Sequence, residues 1–242
     1  MSSPTPFIEF RGRRTFQSLD GLRALSVAAV VWHHVCRGHD HFFGKQGALG
    51  VSLFFAISGF LITTLLLRER RRTGEISLAA FYARRSLRIF PLYYTMLDAY
   101  VVVVALGETD AGARGAFFDN LKYFVSYTSN FFVHADDGPR VIFVFAWSLA
   151  AEEQFYALWP SVEKWLGALS TRLPIVCALA LGSYGLVEHS NAIAPSICFG
   201  VVVAHLLDDE RWYRVASFVF GRRFASPIAF GSMIGFMLAP VP

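Results

Sequence analysis

The segment Leu49–Leu67 reads LGVSLFFAISGFLITTLLL and contains no charged residue. A transmembrane α-helix needs about 20 mostly apolar residues, because the hydrocarbon core of a bilayer is about 30 Å thick. A charge-free run of this length is therefore typical of a membrane-crossing helix. Only 17% of the 242 residues are charged, against about 25% in an ordinary soluble domain. This low charge favours the same interpretation for the rest of the chain.

Arginine clusters flank the apolar segments. They are Arg11, Arg13 and Arg14; the run from Arg68 to Arg72; and Arg84, Arg85 and Arg88. Under the positive-inside rule such clusters are cytoplasmic, so residues 1–15 are expected to form a cytoplasmic tail and residues 16–242 one transmembrane domain. Arginine clusters also occur in nucleic-acid-binding proteins. Their position beside apolar runs argues against that reading, and we expect no nucleic-acid partner.

The distribution of apolar runs predicts an all-α integral membrane protein, a polytopic bundle of about seven transmembrane helices. The predicted spans are residues 19–35, 49–67, 89–106, 141–165, 173–187, 192–207 and 224 to the C-terminus. The first lacks a small-residue cleavage site after its apolar core, so we expect it to be a retained helix rather than a secretory signal.

Several boundaries also follow from the sequence. Asp20 is a suitable N-cap for the first helix, Pro91 is a plausible membrane entry point for the third, and residues 39–47 suggest a turn. The aromatic segment 117–133 is interrupted at residues 119–122 by Asp, Asn and Lys. We interpret it as interfacial or re-entrant. If it crosses the membrane, the orientation of every later span inverts.

Ionisable residues lie inside several predicted spans, among them Arg23, His34, Asp98 and Glu152. Such residues are costly in a bilayer and usually mark a function or a polar partner. The imidazole of His34 suits proton transfer because its protonation changes near neutral pH. A histidine near a helix end can also sit simply at the headgroup level. Together these residues could equally form the polar pathway of a transporter or channel.

Four pieces occur in a fixed order: LDGLRALSVAAVVWHH, GVSLFFAISGFLI, FYARRSLRIFPLYY and WSLAAEEQFYALWP. In this order, covering roughly residues 16–165, they resemble the membrane-bound acyltransferase family 3, whose members O-acylate sugars. After about residue 165 the resemblance fades. Family members commonly have around ten membrane helices, so this chain is expected to be shorter at its C-terminal side.

The resemblance implies roles for particular residues. His34 follows Arg23 after ten intervening residues, as in the family's first-helix motif, so the required histidine is His34 and not His33. The arginines Arg84, Arg85 and Arg88 correspond to the loop associated with the acyl donor. Glu152 occupies the position that the family keeps acidic, and Glu153 a more variable one. Supporting roles fall to Arg23, Ser58, Gly59, Trp147 and Tyr156, although packing is the simpler role for Ser58 and Gly59.

The implied activity is transfer of an acetyl or other short acyl group from acyl-coenzyme A to a hydroxyl of a cell-surface carbohydrate or glycosylated metabolite. Acyl-coenzyme A is then a co-substrate, and neither a permanently bound cofactor nor a metal is expected. The implied location is the bacterial inner membrane, among lipids, with the N-terminus in the cytoplasm.

The alternatives are a transporter or channel and a truncated non-catalytic homologue. The arginine triplet at residues 84–88 favours the enzyme over the transporter or channel, because a transport pathway needs no phosphate-binding loop. The short C-terminal side suggests that a homo- or hetero-oligomer could complete the bundle.

Overall fold

The computed structural model of the chain describes residues 6–12, 16–35, 47–133, 140–187 and 193–220. Within these ranges the secondary structure is helical, with no strand. The helices are α1 (Pro6–Gly12), α2 (Gln17–Val35), α3 (Gly47–Thr73), α4 (Leu78–Gly107), α5 (Ala111–Val125), α6 (Ser129–Phe132), α7 (Ala146–Leu169), α8 (Arg172–Val187), α9 (Ile193–Asp208) and α10 (Glu210–Phe220). The chain divides into two compact units, Met1–Glu75 with Glu163–Pro242, and Ile76–Val162.

In the first unit α3 is the central helix, because it packs against both α2 and α9. Glycine permits this packing. A Cβ atom at Gly59 of α3 would collide with the backbone carbonyl of Ile197 in α9, and one at Gly200 of α9 would collide with the carbonyl of Ala56 in α3. The two backbones therefore approach each other through facing glycines, a common device where helices pack without bulky side chains between them.

The end of α9 and the start of α10 meet α1 and the arginine-rich end of α3. The ring of Tyr213 lies 5.2 Å from that of Phe7 and 5.1 Å from that of Phe10. Asp208 forms ion pairs with Arg71 and Arg11. Aromatic packing and charge pairing thus hold the short N-terminal helix against the unit.

The second unit is built around an aromatic core contributed by α4, α5, the turn after α5 and the start of α7. Its buried members are Tyr93, Leu97, Val104, Phe117, Phe124, Tyr127, Phe143, Ala146 and Ala150. Two N-caps start its helices: the Ser77 hydroxyl accepts a hydrogen bond from the amide of Ala80, and the Asp110 carboxylate accepts bonds from Gly112 and Ala113. These side chains satisfy amide groups that have no partner inside the helix.

Two helical segments, Leu49–Thr73 and Leu78–Gly107, are long and apolar enough to cross a membrane, and Arg172–Tyr184 and Ala194–Asp208 form shorter apolar segments. An all-helical fold with apolar spans is therefore confirmed for the described residues. The count of seven spans stays a prediction. The predicted last span, and all of the predicted turn at 39–47 except Gly47, lie outside the described residues.

One predicted boundary is wrong. Asp20 is not an N-cap, because α2 begins three residues earlier and places Asp20 in its first turn. Pro91 lies inside α4, which begins at Leu78, so its role as the point of membrane entry stays a prediction. In the segment 117–133, residues 119–122 lie within α5 and residues 126–128 separate α5 from α6, so its interfacial or re-entrant position stays a prediction. Asn120 remains helical while its side-chain amide donates to the Ala116 carbonyl at 2.8 Å.

Candidate active site

The second unit brings together three of the residues singled out from the sequence: Arg85, Glu152 and Tyr156. The guanidinium carbon of Arg85 lies 3.7 Å from the centroid of the Tyr156 ring. The Tyr156 hydroxyl donates a hydrogen bond to Oε1 of Glu152, one helical turn earlier in α7. Glu152 is only 5% exposed and Tyr156 2%. Arginine, tyrosine and glutamate thus form one buried chain of contacts.

The local fold explains this alignment. Residues four apart lie on the same face of a helix, so Glu152 and Tyr156 meet within α7 without a loop to position them. On the α4 side, the Tyr82 hydroxyl donates to the carbonyl of Ala157 at 2.7 Å. This hydrogen bond fixes the first turns of α4, which carry Arg85, beside α7. A stacked pair of rings, Phe155 and Trp159 at 5.6 Å, follows along the same helix.

Glu153 extends the cluster. Its carboxylate interacts favourably with Arg85 and unfavourably with its neighbour Glu152. Oε1 of Glu153 and Nε of Arg85 are both buried and have no hydrogen-bond partner within the described residues. The cluster therefore holds two adjacent carboxylates and one guanidinium group, whose face is occupied by an aromatic ring.

The other predicted donor-binding arginines differ from Arg85 in exposure. Arg84 and Arg88 are exposed on α4, whereas Arg85 is half-buried. Trp147, at the start of α7, is also half-buried. The arginine triplet thus presents two exposed guanidinium groups and one directed into the polar cluster.

Arg23 and His34 both belong to α2, as predicted. Arg23 lies over the ring of Phe54 in α3, at 4.7 Å. It also lines a groove of about 670 Å³ whose other lining residues are apolar: Ala24, Val27, Ala28, Val31, Trp32 and Phe54. The side chains of His33 and His34 lie outside the described part of the structure, so the role of His34 stays a prediction.

Ser58 and Gly59 are buried in α3. Gly59 faces the backbone of α9, as described above, which agrees with a packing role. Ser58 and Gly59 belong to the first unit and the cluster around Glu152 to the second, and the supporting role of both residues stays a prediction.

A second buried polar cluster escaped the sequence interpretation. Glu163, near the end of α7, is fully buried, and its Oε1 lies 2.6 Å from Nε2 of His205 in α9. Arg70 of α3 donates to the Glu163 backbone carbonyl, and its Nη1 lies 3.9 Å from Oε2. His205 is an ionisable residue inside an apolar run, which is the signal that could have identified this cluster.

In comparison with known proteins, a family model described as Acyltransferase domain matches residues 16–240 of this chain. The chain belongs to this acyltransferase family. The match includes both units, and with them all the residues predicted for the site.

Similar proteins carry names that agree with this membership. The chain is 33% identical over 188 residues to the Peptidoglycan O-acetyltransferase OatA of Listeria monocytogenes, a match that covers 70% of the chain and 28% of that protein. It is 33% identical over 154 residues to a Bacillus subtilis protein named "Putative peptidoglycan O-acetyltransferase YrhL", covering 61% of the chain and 23% of that protein. This chain thus spans about a quarter of the length of these two relatives. No solved structure matches it.

Proposed function

We propose that this chain is an integral-membrane O-acyltransferase that transfers an acetyl or other short acyl group from acyl-coenzyme A to a hydroxyl of a cell-wall carbohydrate. Family membership supports acyl transfer, and the names of the relatives favour peptidoglycan as the acceptor. The observation that carries the proposal is the buried contact chain from Arg85 through Tyr156 to Glu152. It joins a group suited to phosphate binding with a group suited to proton transfer.

The arginines of α4 are proposed to bind the phosphates of acyl-coenzyme A. Guanidinium groups pair with phosphate in a bidentate geometry that lysine cannot reproduce. Arg84 and Arg88 are exposed and would meet the charged nucleotide end of the donor. Arg85 is held by its stacking on Tyr156, so it would contact a part of the donor that enters more deeply.

The chemical step is assigned to His34. In direct transfer, its imidazole removes the proton of the acceptor hydroxyl, the oxygen attacks the thioester carbonyl, the carbon–sulfur bond breaks, and the proton passes to the departing thiolate. In the covalent alternative, the imidazole nitrogen attacks the thioester first and the hydroxyl then takes the acyl group from it. Glu152 is proposed to accept or relay a proton during this exchange. Arg23 is proposed to support His34 as the basic residue of the same motif.

The proposed setting is the bacterial inner membrane, with the N-terminus in the cytoplasm and the carbohydrate on the opposite side. Arginine clusters at the end of α3 and at the start of α4 support this orientation through the positive-inside rule. Because donor and acceptor would lie on opposite sides, the acyl group has to pass into the membrane-embedded part of the protein. A homo- or hetero-oligomer is proposed to complete the bundle.

The test is release of free coenzyme A from acetyl-coenzyme A by the purified chain in nanodiscs, with and without peptidoglycan. We expect acceptor-dependent release that is lost in His34→Ala and retained in His33→Ala, the matched control on the adjacent residue. Release that survives in His34→Ala would contradict the role of this histidine. Absence of acetyl-coenzyme A binding by the unaltered chain would contradict the proposed donor and favour a transport pathway instead.

A further inference from the structure

Tyr127 lies in the turn between α5 and α6 with a backbone φ of 53°, a left-handed conformation that is uncommon for a bulky residue. Gln154 of α7 holds this turn in place. Its amide nitrogen donates to the Tyr127 carbonyl at 2.8 Å and to Oδ1 of Asn130 at 2.8 Å, while Nδ2 of Asn130 donates back to Oε1 of Gln154 at 3.1 Å. Residues in strained conformations persist only where the surroundings fix them, and they concentrate at functional sites.

The strained turn buries a tyrosine hydroxyl that forms no hydrogen bond with any residue the structure describes. The Tyr127 ring stacks on that of Tyr93 at 4.3 Å, and the residue is only 9% exposed. The hydroxyls of Tyr93 and Tyr94 donate to the carbonyls of Phe124 and Val125, at 2.8 and 3.0 Å. By contrast, the Tyr127 hydroxyl is buried and has no hydrogen-bond partner in the described ranges. Packing alone would be served equally well by phenylalanine.

Two further buried atoms without a hydrogen-bond partner belong to residues close to this turn. Gln154, which binds the Tyr127 carbonyl, directly follows Glu153 in α7, and Arg85 of α4 stacks on Tyr156 of the same helix. Oε1 of Glu153 and Nε of Arg85 are buried, and neither has a hydrogen-bond partner among the described residues. Buried polar groups are nearly always hydrogen-bonded, so exceptions call for an explanation. The described part of the second unit has five such atoms, and those of Tyr127, Glu153 and Arg85 come from three separate segments of it.

The three atoms define what could satisfy them. The Glu153 oxygen accepts a hydrogen bond, Nε of Arg85 donates one, and the tyrosine hydroxyl can do either. A neutral group that carries both a donor and an acceptor, such as a secondary amide, matches this set. An amide N–H would donate to Glu153, while its carbonyl would accept from Arg85 or Tyr127. A further phosphate would be repelled by the carboxylates of Glu152 and Glu153.

We propose that Tyr127, Glu153 and Nε of Arg85 form a binding subsite for the amide-bearing pantetheine arm of the acyl donor. This inference rests on acyl-coenzyme A being the donor, as proposed above. The pantetheine arm connects the phosphates to the thioester and carries amide groups along its length. A subsite next to Arg85 would therefore hold the donor between its charged end and its reactive end.

The test compares two ligands that share the nucleotide end of the donor: acetyl-coenzyme A, and adenosine 3′,5′-bisphosphate, which lacks the pantetheine arm. Binding is measured calorimetrically on the purified full chain for the unaltered protein, Tyr127→Phe and Tyr94→Phe. Tyr94→Phe is the matched control, because it removes a neighbouring hydroxyl that already has a protein partner.

Tyr127→Phe is expected to weaken acetyl-coenzyme A binding about three- to tenfold, the effect of one hydrogen bond. The same variant should leave adenosine 3′,5′-bisphosphate binding unchanged, and Tyr94→Phe should change neither. Glu153→Gln provides a second variant with nearly the same shape, and it should show the same selective loss.

Three results with Tyr127→Phe would overturn the subsite, and two results with the unaltered chain would do so as well. The first is equal weakening of both ligands in Tyr127→Phe. The second is no weakening of either. The third is an increase in the KM for peptidoglycan while donor binding is unaffected, which would place the acceptor there instead. If the unaltered chain binds adenosine bisphosphate and acetyl-coenzyme A equally tightly, the arm makes no contact, and the subsite fails while the donor proposal stands. If it binds neither ligand, both proposals fail.

Discussion

The two buried polar clusters described above are built from similar residues and differ in the arrangement of their charged groups. Around Glu163, one carboxylate lies between a histidine and an arginine. Its Oε1 is 2.6 Å from Nε2 of His205, and its Oε2 is 3.9 Å from Nη1 of Arg70 and has no hydrogen-bond partner among the described residues. Around Glu152 and Glu153, two adjacent carboxylates repel each other, and the guanidinium group of Arg85 stacks on a tyrosine. In that cluster buried atoms of Tyr127, Glu153 and Arg85 have no partner among the described residues.

The difference separates a structural role from a functional one. A buried ion pair with its partners in place holds helices in register, and removing one member leaves an uncompensated charge in the interior. A cluster with two adjacent carboxylates contributes less to stability, because their negative charges repel each other. Natural proteins tolerate such arrangements mainly at functional sites. We therefore expect substitutions in the Glu163 cluster to change stability and substitutions in the Glu152 cluster to change activity.

The largest effect is expected for Glu152→Gln. The substitution preserves the shape of the side chain and an oxygen that can accept from Tyr156, but it removes the negative charge and the proton-accepting capacity. Turnover should fall about 10²–10⁴-fold, the usual contribution of a group engaged in proton transfer. The thermal unfolding temperature should stay close to that of the unaltered chain.

The measurement is acceptor-dependent release of coenzyme A, paired with thermal unfolding in the same detergent. Glu153→Gln, on the adjacent residue, is the matched control. It should weaken donor binding without a comparable loss in kcat. Unfolding of Glu152→Gln at markedly lower temperature would show that this cluster is structural, and the distinction drawn between the two clusters would then be incorrect.

Glu163→Ala should produce the largest loss of stability. Removing one partner of a buried pair typically costs about 3–5 kcal/mol, because the buried His205 and the half-buried Arg70 would face an empty space. Denaturant or thermal unfolding of the purified chain measures this loss. The control is Glu210→Ala, which removes an exposed partner of Arg214 at 3.9 Å and should change stability by less than about 1 kcal/mol. Equal effects of the two substitutions would contradict a structural role for the buried cluster.

Arg85→Lys is expected to have an intermediate effect. Lysine keeps the positive charge but lacks the planar group that lies over Tyr156 and the Nε–H that is proposed to donate to the pantetheine arm. Loss of a hydrogen bond that involves a charged group costs about 1.5–3 kcal/mol, so the KM for acetyl-coenzyme A should rise about ten- to a hundredfold. Arg88→Lys, at an exposed position of the same helix, should have a smaller effect. A larger effect at Arg88 would shift the main donor contact away from the buried cluster.

The sequence predicted one of these clusters and missed the other for physical reasons. Glu152 and Tyr156 are four residues apart on one helix, so their contact follows from helical geometry alone. Glu163, His205 and Arg70 lie on three different helices, and their meeting depends on tertiary packing that no local pattern encodes. Tyr127 was missed because its strained turn depends on Gln154, which follows it by 27 residues.

Helix boundaries show the same division between local and tertiary information. The apolar runs of α8 and α9 were placed to within one residue of their helices, since hydrophobicity over a long window decides them. The predicted span 89–106 lies within α4, which begins eleven residues earlier at Leu78. Its first three turns carry the basic side chains that the sequence placed on a helix arriving at the membrane. A capped start at Ser77 allowed the helix to form there regardless of hydropathy.

The smallest effect is expected for Asp208→Ala, which tests whether burial rather than charge number decides the contribution of a cluster. Asp208 is contacted by two arginines, Arg71 and Arg11, as Glu163 is contacted by two basic residues. The side chain of Asp208 is 25% exposed and that of Arg11 37%, whereas Glu163 is fully buried. Solvent near Asp208 already screens its charge, so the substitution should cost no more than about 1 kcal/mol.

The cost of Asp208→Ala should shrink further in 1 M salt, where the screening length is about 3 Å. The loss in Glu163→Ala should be nearly independent of salt, because buried pairs are screened much less. Unfolding of both variants at low and high salt provides the comparison. A loss in Asp208→Ala as large and as salt-independent as that in Glu163→Ala would show that the number of partners, and not their burial, sets the stability of polar clusters in this fold.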